Sequence, residues 1–227
     1  MLYRGIPINE AQLGFVSAVK LGAVLIVDDD KFIRASLENT LQLSGFEMSG
    51  SVGSAVEALA VQSKSPTDVA LLDVDLGIGP TGFDLAQKLR NVSPQIGIVF
   101  LTTYQDPRFA AISGTNAPKG SRYLVKSEIE NFSQIVSAIL QAKHRPFSES
   151  LSHLNRFSEL TDLQIEVWRE VSQGISSSEI ANRRGISEKS VEATLARIYK
   201  ILDIKKDKAS NPRILLANAF KKYSGKA

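Results

Sequence analysis

The chain contains no cysteine, and it has only two histidines, two methionines and one tryptophan. Without thiols there is no disulfide framework, no thiolate nucleophile and no cysteine-based zinc site, so a reducing, cytoplasmic setting is expected. The two histidines, His144 and His153, fall in one polar stretch and are read as solvated side chains rather than as ligands or a general base. Long apolar runs are missing as well. Ala11 to Val27 comes nearest, but Lys20 interrupts it and Asp28, Asp29 and Asp30 close it, so neither a signal peptide nor a membrane span is expected. No internal repeat or low-complexity segment is present.

What is there suits a globular protein with two cores. The 227 residues are 43% hydrophobic and 22% charged, enough for two modest domains. Net charge is 27 − 24 = +3, but it is unevenly spread. Residues 1–143 carry 12 basic and 14 acidic side chains, whereas residues 144–227 carry 15 and 10. An acidic half followed by a basic half points to nucleic acid as a partner of the second half only.

The first half is organised around Val69–Leu76, V-A-L-L-D-V-D-L, followed by Gly77, Gly79, Pro80 and Gly82. A short unbroken apolar run bounded by turn residues reads as a strand buried on both faces of a parallel sheet. Further strands are expected at 23–27, 96–101 and 121–125, with a weaker one at 46–51. Helices are expected between them at about 31–44, 54–64, 81–91, 107–113 and 128–142. Five strands alternating with five helices predict an α/β doubly wound parallel sheet, flavodoxin-like, in the order 2-1-3-4-5. That order gathers the carboxyl ends of four strands around one crevice, and with them Asp28 and Asp29, Asp73, Thr102 and Lys126. Clustered carboxylates repel unless a cation joins them, and all-oxygen ligation favours magnesium. Lys126 and the Thr102 hydroxyl suit an additional oxyanion. The set describes phosphoryl transfer, with one carboxylate as acceptor.

The second half is expected to be all α. Thr161-x-x-Gln164 and Ser176-x-x-Glu179 have capping-box spacing, Gly185 stops a helix, and Ser187 caps the next. Val191, Leu195, Ile198 and Leu202 line one face of that helix, and Pro212 opens a fourth. A capped helix, a tight turn and an amphipathic helix form a helix-turn-helix. Its outer face would carry Lys189, Ser190, Glu192, Ala193, Ala196, Arg197 and Lys200 to the major groove of double-stranded DNA. Glu192 is expected to accept from cytosine and Ala193 or Ala196 to meet thymine methyls. Phosphates would fall to Lys189, Arg197, Lys200 and Arg183 or Arg184. Ile214, Leu215, Ala217 and Phe220 give the last helix more apolar surface than its own domain needs, and part of it is expected to serve self-association into a homodimer on two half-sites, the alternative being ordinary packing within the domain.

On these residues, 23–142 resembles the receiver domain of two-component response regulators. The acidic pair corresponds to Asp28-Asp29, the phospho-accepting aspartate to Asp73, the switch pair to Thr102 and Tyr123, and the lysine to Lys126. The resemblance implies transfer from a phosphohistidine of a sensor histidine kinase. The magnesium it implies would be held by Asp28, Asp29, Asp73 and the backbone carbonyl of Asp75. Departures are Lys31 for a common proline, Asp75-Leu76-Gly77 for polar-Met-Pro, one extra residue before Gly82, Thr103 for alanine, and the 118–122 segment. L-T-D-L-Q-I-E-V-W (160–168) and residues 174–202 resemble the LuxR-type helix-turn-helix of the NarL/FixJ-like subfamily, with Glu192 and Thr194 where Lys and His are frequent.

The expected organisation is an extension (1–22), a receiver (23–142), a linker (143–157) and a DNA-binding domain (158–227), a regulator rather than an enzyme. Two other readings compete. Haloacid-dehalogenase-type phosphatases also place Asp-x-Asp after an apolar strand, as in Asp73-Val74-Asp75, but their acidic pair follows that strand, whereas Asp28-Asp29 precedes it. A receiver acting by protein contacts without phosphorylation would not need the full set of site residues.

Overall fold

A computed structural model describes residues 20–110, 117–147, 157–204 and 211–225. Its first unit is a five-stranded, wholly parallel sheet in the order β2-β1-β3-β4-β5. The strands are β1 (Gly22–Val27), β2 (Phe46–Val52), β3 (Val69–Leu72), β4 (Gly97–Thr102) and β5 (Arg122–Val125). The central strands are apolar up to Thr102 at the end of β4, because both faces are covered. Val24 and Ile26 of β1, Val69 and Leu71 of β3, and Val99 and Leu101 of β4 face α1 (Lys31–Leu43) and α5 (Ser133–His144). The alternate residues Leu25, Val27, Ala70, Leu72, Ile98 and Phe100 face α2 (Ala55–Gln62), α3 (Gly82–Val92) and α4 (Pro107–Ala110).

Helix starts are chemically marked. Asp30 accepts from the amides of Phe32 and Ile33 to open α1, and Thr81 and Asp84 form a reciprocal capping box on α3. The helix expected from about residue 128 starts later. Lys126–Glu128 make a single 3-10 turn, Ile129 is extended, and α5 begins at Ser133. The delay lets Ile129 and Phe132 reach the core under the sheet. Of the helix expected at 107–113, Pro107–Ala110 is α4 and the rest lies outside the described residues, as do residues 1–19 of the expected extension and residues 148–156 with His153.

The second unit holds α6 (Asp162–Ser172), α7 (Ser177–Arg184), α8 (Glu188–Ile201) and α9 (Pro212–Tyr223). Thr161 and Gln164 complete the expected capping box. Ser176 caps α7, but the Glu179 carboxylate turns to Arg183 instead of closing the box. Gly185 takes the left-handed conformation (φ 62°) that lets the chain turn from α7 into α8. The core is centred on Trp168, fully buried, whose Nε1 donates to the Leu216 carbonyl (3.0 Å).

The two units share an aromatic cluster. Phe109 of α4 lies edge-on to Phe157, Trp168 and Phe220, with ring centroids 4.9, 5.4 and 5.5 Å away. Arg108 beside it is forked onto Asp106 and donates to the carbonyls of Leu160 (2.5 Å) and Phe157 (2.8 Å). The Gln105 amide donates to the Tyr223 carbonyl (3.0 Å). The stretch read from sequence as a solvated linker is docked at both described ends. Arg90 donates to the Pro146 carbonyl (2.8 Å) and stacks on Phe147, while Phe157 is wholly buried among the aromatics.

Because Phe109 fills the core of the other unit, Phe109→Ala is expected to destabilise the helical unit by roughly 3 kcal/mol, the lower end for an aromatic truncated in a core. Urea titration followed by emission of Trp168, the chain's single tryptophan, reads that unit directly. An unshifted transition would show that the helical core closes without the phenyl ring.

Candidate phosphorylation site and DNA interface

The carboxyl ends of β1, β3, β4 and β5 meet where the sequence pattern placed them. The Lys126 ammonium, just past β5, donates to Asp28 (2.8 Å) and Asp73 (2.6 Å). Both carboxylates are nearly inaccessible, whereas Asp29 is exposed. Asp28 is further held by the Asp30 amide (2.9 Å), and its backbone carbonyl receives the Arg34 guanidinium. The other Asp73 oxygen accepts from the amides of Val74 (2.5 Å) and Asp75 (3.3 Å).

Burial pushes the Asp73 carboxyl above its ordinary pKa, with the Asp28 charge adding to the rise and Lys126 opposing it. Burial works against the Lys126 ammonium, but Asp73 and Asp28 more than compensate and raise its pKa. Oxygens of Asp28, Asp29 and Asp73 all lie within 4.8 Å of one another. Three carboxylates face one ammonium, the donors are all oxygen, and Asp29 is exposed. That donor set fits a hard divalent cation such as magnesium.

The β3–α3 turn follows from its glycines. Gly77 and Gly79 have φ of 74° and 124°, and the Gly77 amide donates to Asp75 (3.2 Å). A side chain at Gly82 would collide with the Asp73 backbone, which fixes how closely α3 approaches the site. Thr102 is fully buried at the end of β4, and the Tyr104 amide lies 3.4 Å from its hydroxyl. Sequence reasoning passed over Tyr104, two residues past Thr102 on the same loop. Its hydroxyl donates to the Asp75 carboxylate (3.3 Å), while its carbonyl accepts from the Tyr123 hydroxyl (3.0 Å). Burial raises both phenol pKa values, with nearby carboxylates adding to the rise, so each stays a donor at neutral pH.

On the helical unit, Lys189, Ser190, Glu192, Ala193, Ala196, Arg197 and Lys200 all lie exposed on α8, opposite buried Val191, Leu195 and Ile198. Two are already engaged: Arg197 donates to the Glu159 carbonyl (2.9 Å), and Glu192 accepts from Ser177 (2.5 Å). Arg184 is clamped between Glu166 and Glu170 and ties α7 to α6, a packing role that leaves it less suited to phosphate than the sequence suggested. Arg183 pairs with Glu179. Ile214 and Leu215 stay exposed on α9 and Ala217 is half-buried, but Phe220 does not share that outer face. Its ring is drawn between Trp168 and Phe109, so its apolar surface is spent on packing. Among the described residues, no helix is long and apolar enough to cross a membrane.

Known proteins agree with this architecture. The response regulator receiver domain model matches residues 24–139, and the model for bacterial regulatory proteins of the luxR family matches 158–210. The nitrate/nitrite response regulator protein NarP of Escherichia coli (strain K12) is 28% identical over 197 residues, covering 80% of this chain and 89% of NarP. The DNA-binding transcriptional activator DevR/DosR of Mycobacterium tuberculosis is 28% identical over 199 residues, covering 81% of this chain and 89% of that protein. In fold, the chain is similar to RcsB from Salmonella enterica serovar Typhimurium in a promoter-bound structure. There the TM-score is 0.55 at 17% identity, over 88% of this chain and 98% of the other. The two family models fall on the sheet unit and the helical unit, and the chain belongs to the DNA-binding response regulators of two-component systems, with a receiver domain followed by a LuxR-family domain.

Proposed function

We propose that Asp73 accepts a phosphoryl group from the phosphohistidine of a sensor histidine kinase, and that the charge gained there controls DNA binding by α8. The observation that carries this reading is the Lys126 bridge between Asp28 and Asp73 beside an open, three-carboxylate pocket. One Asp73 carboxylate oxygen attacks phosphorus, the phosphorus–nitrogen bond breaks, and the imidazole leaves with the electron pair. Asp28, Asp29 and Asp73, whose oxygens lie within 4.8 Å of one another, would hold magnesium, with the Asp75 backbone carbonyl added by the family resemblance, and the ion would supply charge neutralisation at the phosphoryl oxygens. Lys126 is within reach of the acceptor and can follow the new oxygens. A carboxylate raised by burial and by Asp28 is held poorly as an anion, and both cations ease that cost. The absence of cysteine suits a cytoplasmic regulator.

Coupling would run along the β4–α4 loop. Phosphorylation adds about −1.5 to −2 charge, which attracts the Thr102 hydroxyl. Tyr123 is bonded to the Tyr104 carbonyl, and the next amide, Gln105, is bonded to the last turn of α9. Movement of Thr102 therefore acts on a loop already attached to the helical unit. A change there biases how that unit is held, which is the two-state element the response requires. Exposed Ile214 and Leu215 offer the remaining apolar surface for a homodimer on half-sites about 10 bp apart or a multiple.

Asp73→Asn is expected to abolish phosphate incorporation from acetyl phosphate and magnesium, because an amide cannot form the acyl phosphate. Asp29→Ala should retain the fold by circular dichroism while requiring more than tenfold higher magnesium for the same labelling. Undiminished labelling of Asp73→Asn would move the acceptor elsewhere.

Thr102→Ala should still be labelled but lose most of the phosphorylation-dependent gain in DNA affinity. An electrophoretic titration of labelled and unlabelled protein reads this directly, and a wild-type gain in the variant would reject the threonine route. Arg197→Ala should weaken all sequences alike and reduce the slope of log affinity against log salt by about one, as loss of one phosphate contact does. A slope equal to wild type would leave Arg197 as a tether to the Glu159 carbonyl only.

A further inference from the structure

Glu192 stands on the outer face of α8, but its side chain is not loose. The Ser177 hydroxyl, almost fully buried at the start of α7, donates to Glu192 Oε1 (2.5 Å) and accepts from Arg213 Nη2 of α9 (2.9 Å). A hydroxyl has one proton and two lone pairs, so this orientation is dictated: the guanidinium can only donate and the carboxylate can only accept. The chain Arg213–Ser177–Glu192 thus joins the first turn of α9, the first turn of α7 and the exposed face of α8. Tyr199 packs near the same groups, its phenol pKa raised by burial, lowered by Arg213 and raised by Glu192.

A carboxylate brought to DNA meets a field of phosphates and loses water, so a free glutamate there opposes binding. A glutamate whose one oxygen already accepts from a hydroxyl polarised by a guanidinium has part of that charge offset in advance. It has also lost the rotamer freedom it would otherwise give up on binding. Its second oxygen has no hydrogen-bond partner among the described residues and can only accept. Of the base groups in the major groove, the donors are the cytosine N4 and adenine N6 amino groups, and a lone carboxylate oxygen suits the first.

We infer that Ser177 and Arg213 are positioning residues that hold Glu192 as a preorganised reader of a cytosine amino group in the operator. This rests on the reading that α8 enters the major groove. Arg213 acts through Ser177 rather than by touching DNA, so its effect is confined to the base pair that Glu192 faces.

The test is binding selection from a randomised operator pool by the full-length, acetyl-phosphate-treated protein, scored as preference at each base position rather than as total affinity. Glu192→Ala should lose about tenfold of the cytosine preference at one position. Ser177→Ala and Arg213→Met should soften the preference several-fold at that same position and leave the others as they were. Ser177→Thr, which keeps the hydroxyl, should restore it. Thermal unfolding of each variant separates lost stability from lost reading. If Ser177→Ala and Arg213→Met lower the melting temperature but keep the wild-type profile at every position, the network is a strut and the inference is overturned. If Glu192→Ala, which removes both acceptor oxygens, leaves the profile intact, Glu192 is not a reader. Wild-type protein with a strong preference that survives every substitution on α8 would overturn the groove assignment itself, together with the inference built on it.

Discussion

One ammonium group sits between two buried carboxylates, and the sheet is arranged to keep it there. Asp28, Asp73 and Lys126 are the residues immediately after β1, β3 and β5, so the contact closes only when three strands share a direction and a register. Two carboxylates this deeply buried would each carry a large desolvation cost if left unpaired. Lys126 offsets part of it and leaves the pocket still negative, which is what a phosphoryl-accepting site with a metal requires. The apolar strands, the helices on both faces and the close approach of Gly82 to the Asp73 backbone all serve that placement.

The loop after β4 has two masters. At one end, buried Thr102 and Tyr104 border the acidic pocket, with the Tyr104 hydroxyl on Asp75. At the other, Gln105, Arg108 and Phe109 are fastened to backbone carbonyls and aromatic rings of the helical unit. Only a few residues separate the two sets, so a displacement at the pocket has little slack in which to dissipate. The attachments of this loop fall on α9, on α6 and on the residues just before α6, and the outer face of α8 carries none of them. Control by this route would act on how α8 is supported, with its exposed face left open.

Much of this was legible in the chain because the informative residues sit at strand ends. An apolar run that stops at a carboxylate, a threonine or a lysine announces both the strand and the pocket, and the observed strand order follows from the alternation of strands and helices. The helix-turn-helix was legible for a similar local reason: Thr161, Ser176, Gly185, Ser187 and Pro212 mark its helix ends. What could not be read depends on partners far along the chain. Phe109 looked like one apolar residue in a short helix, and only the fold brings it to Trp168 and Phe220. Ser177 and Arg213 are 36 residues apart, and no spacing rule links a helix cap to an arginine beyond it. Phe220 was misplaced because helical periodicity shows that a face is apolar without saying which neighbour covers it. Tyr104 was missed because a tyrosine in a loop carries no sequence signal of the carboxylate it will meet.

The phenyl ring of Phe109 has a consequence for how such proteins are assembled from parts. Sequence boundaries make the receiver and the DNA-binding unit look interchangeable, each with its own pattern of apolar residues. Yet the slot among Phe157, Trp168 and Phe220 is shaped by one unit and filled by the other. A chimera joining this helical unit to a foreign receiver would inherit a hole where the ring belongs, unless the donor carries an aromatic side chain at the same turn of α4. Compatibility between halves is then a matter of matching one side chain to one slot, and recombination between related regulators would be filtered by that fit before any question of signal or promoter arises.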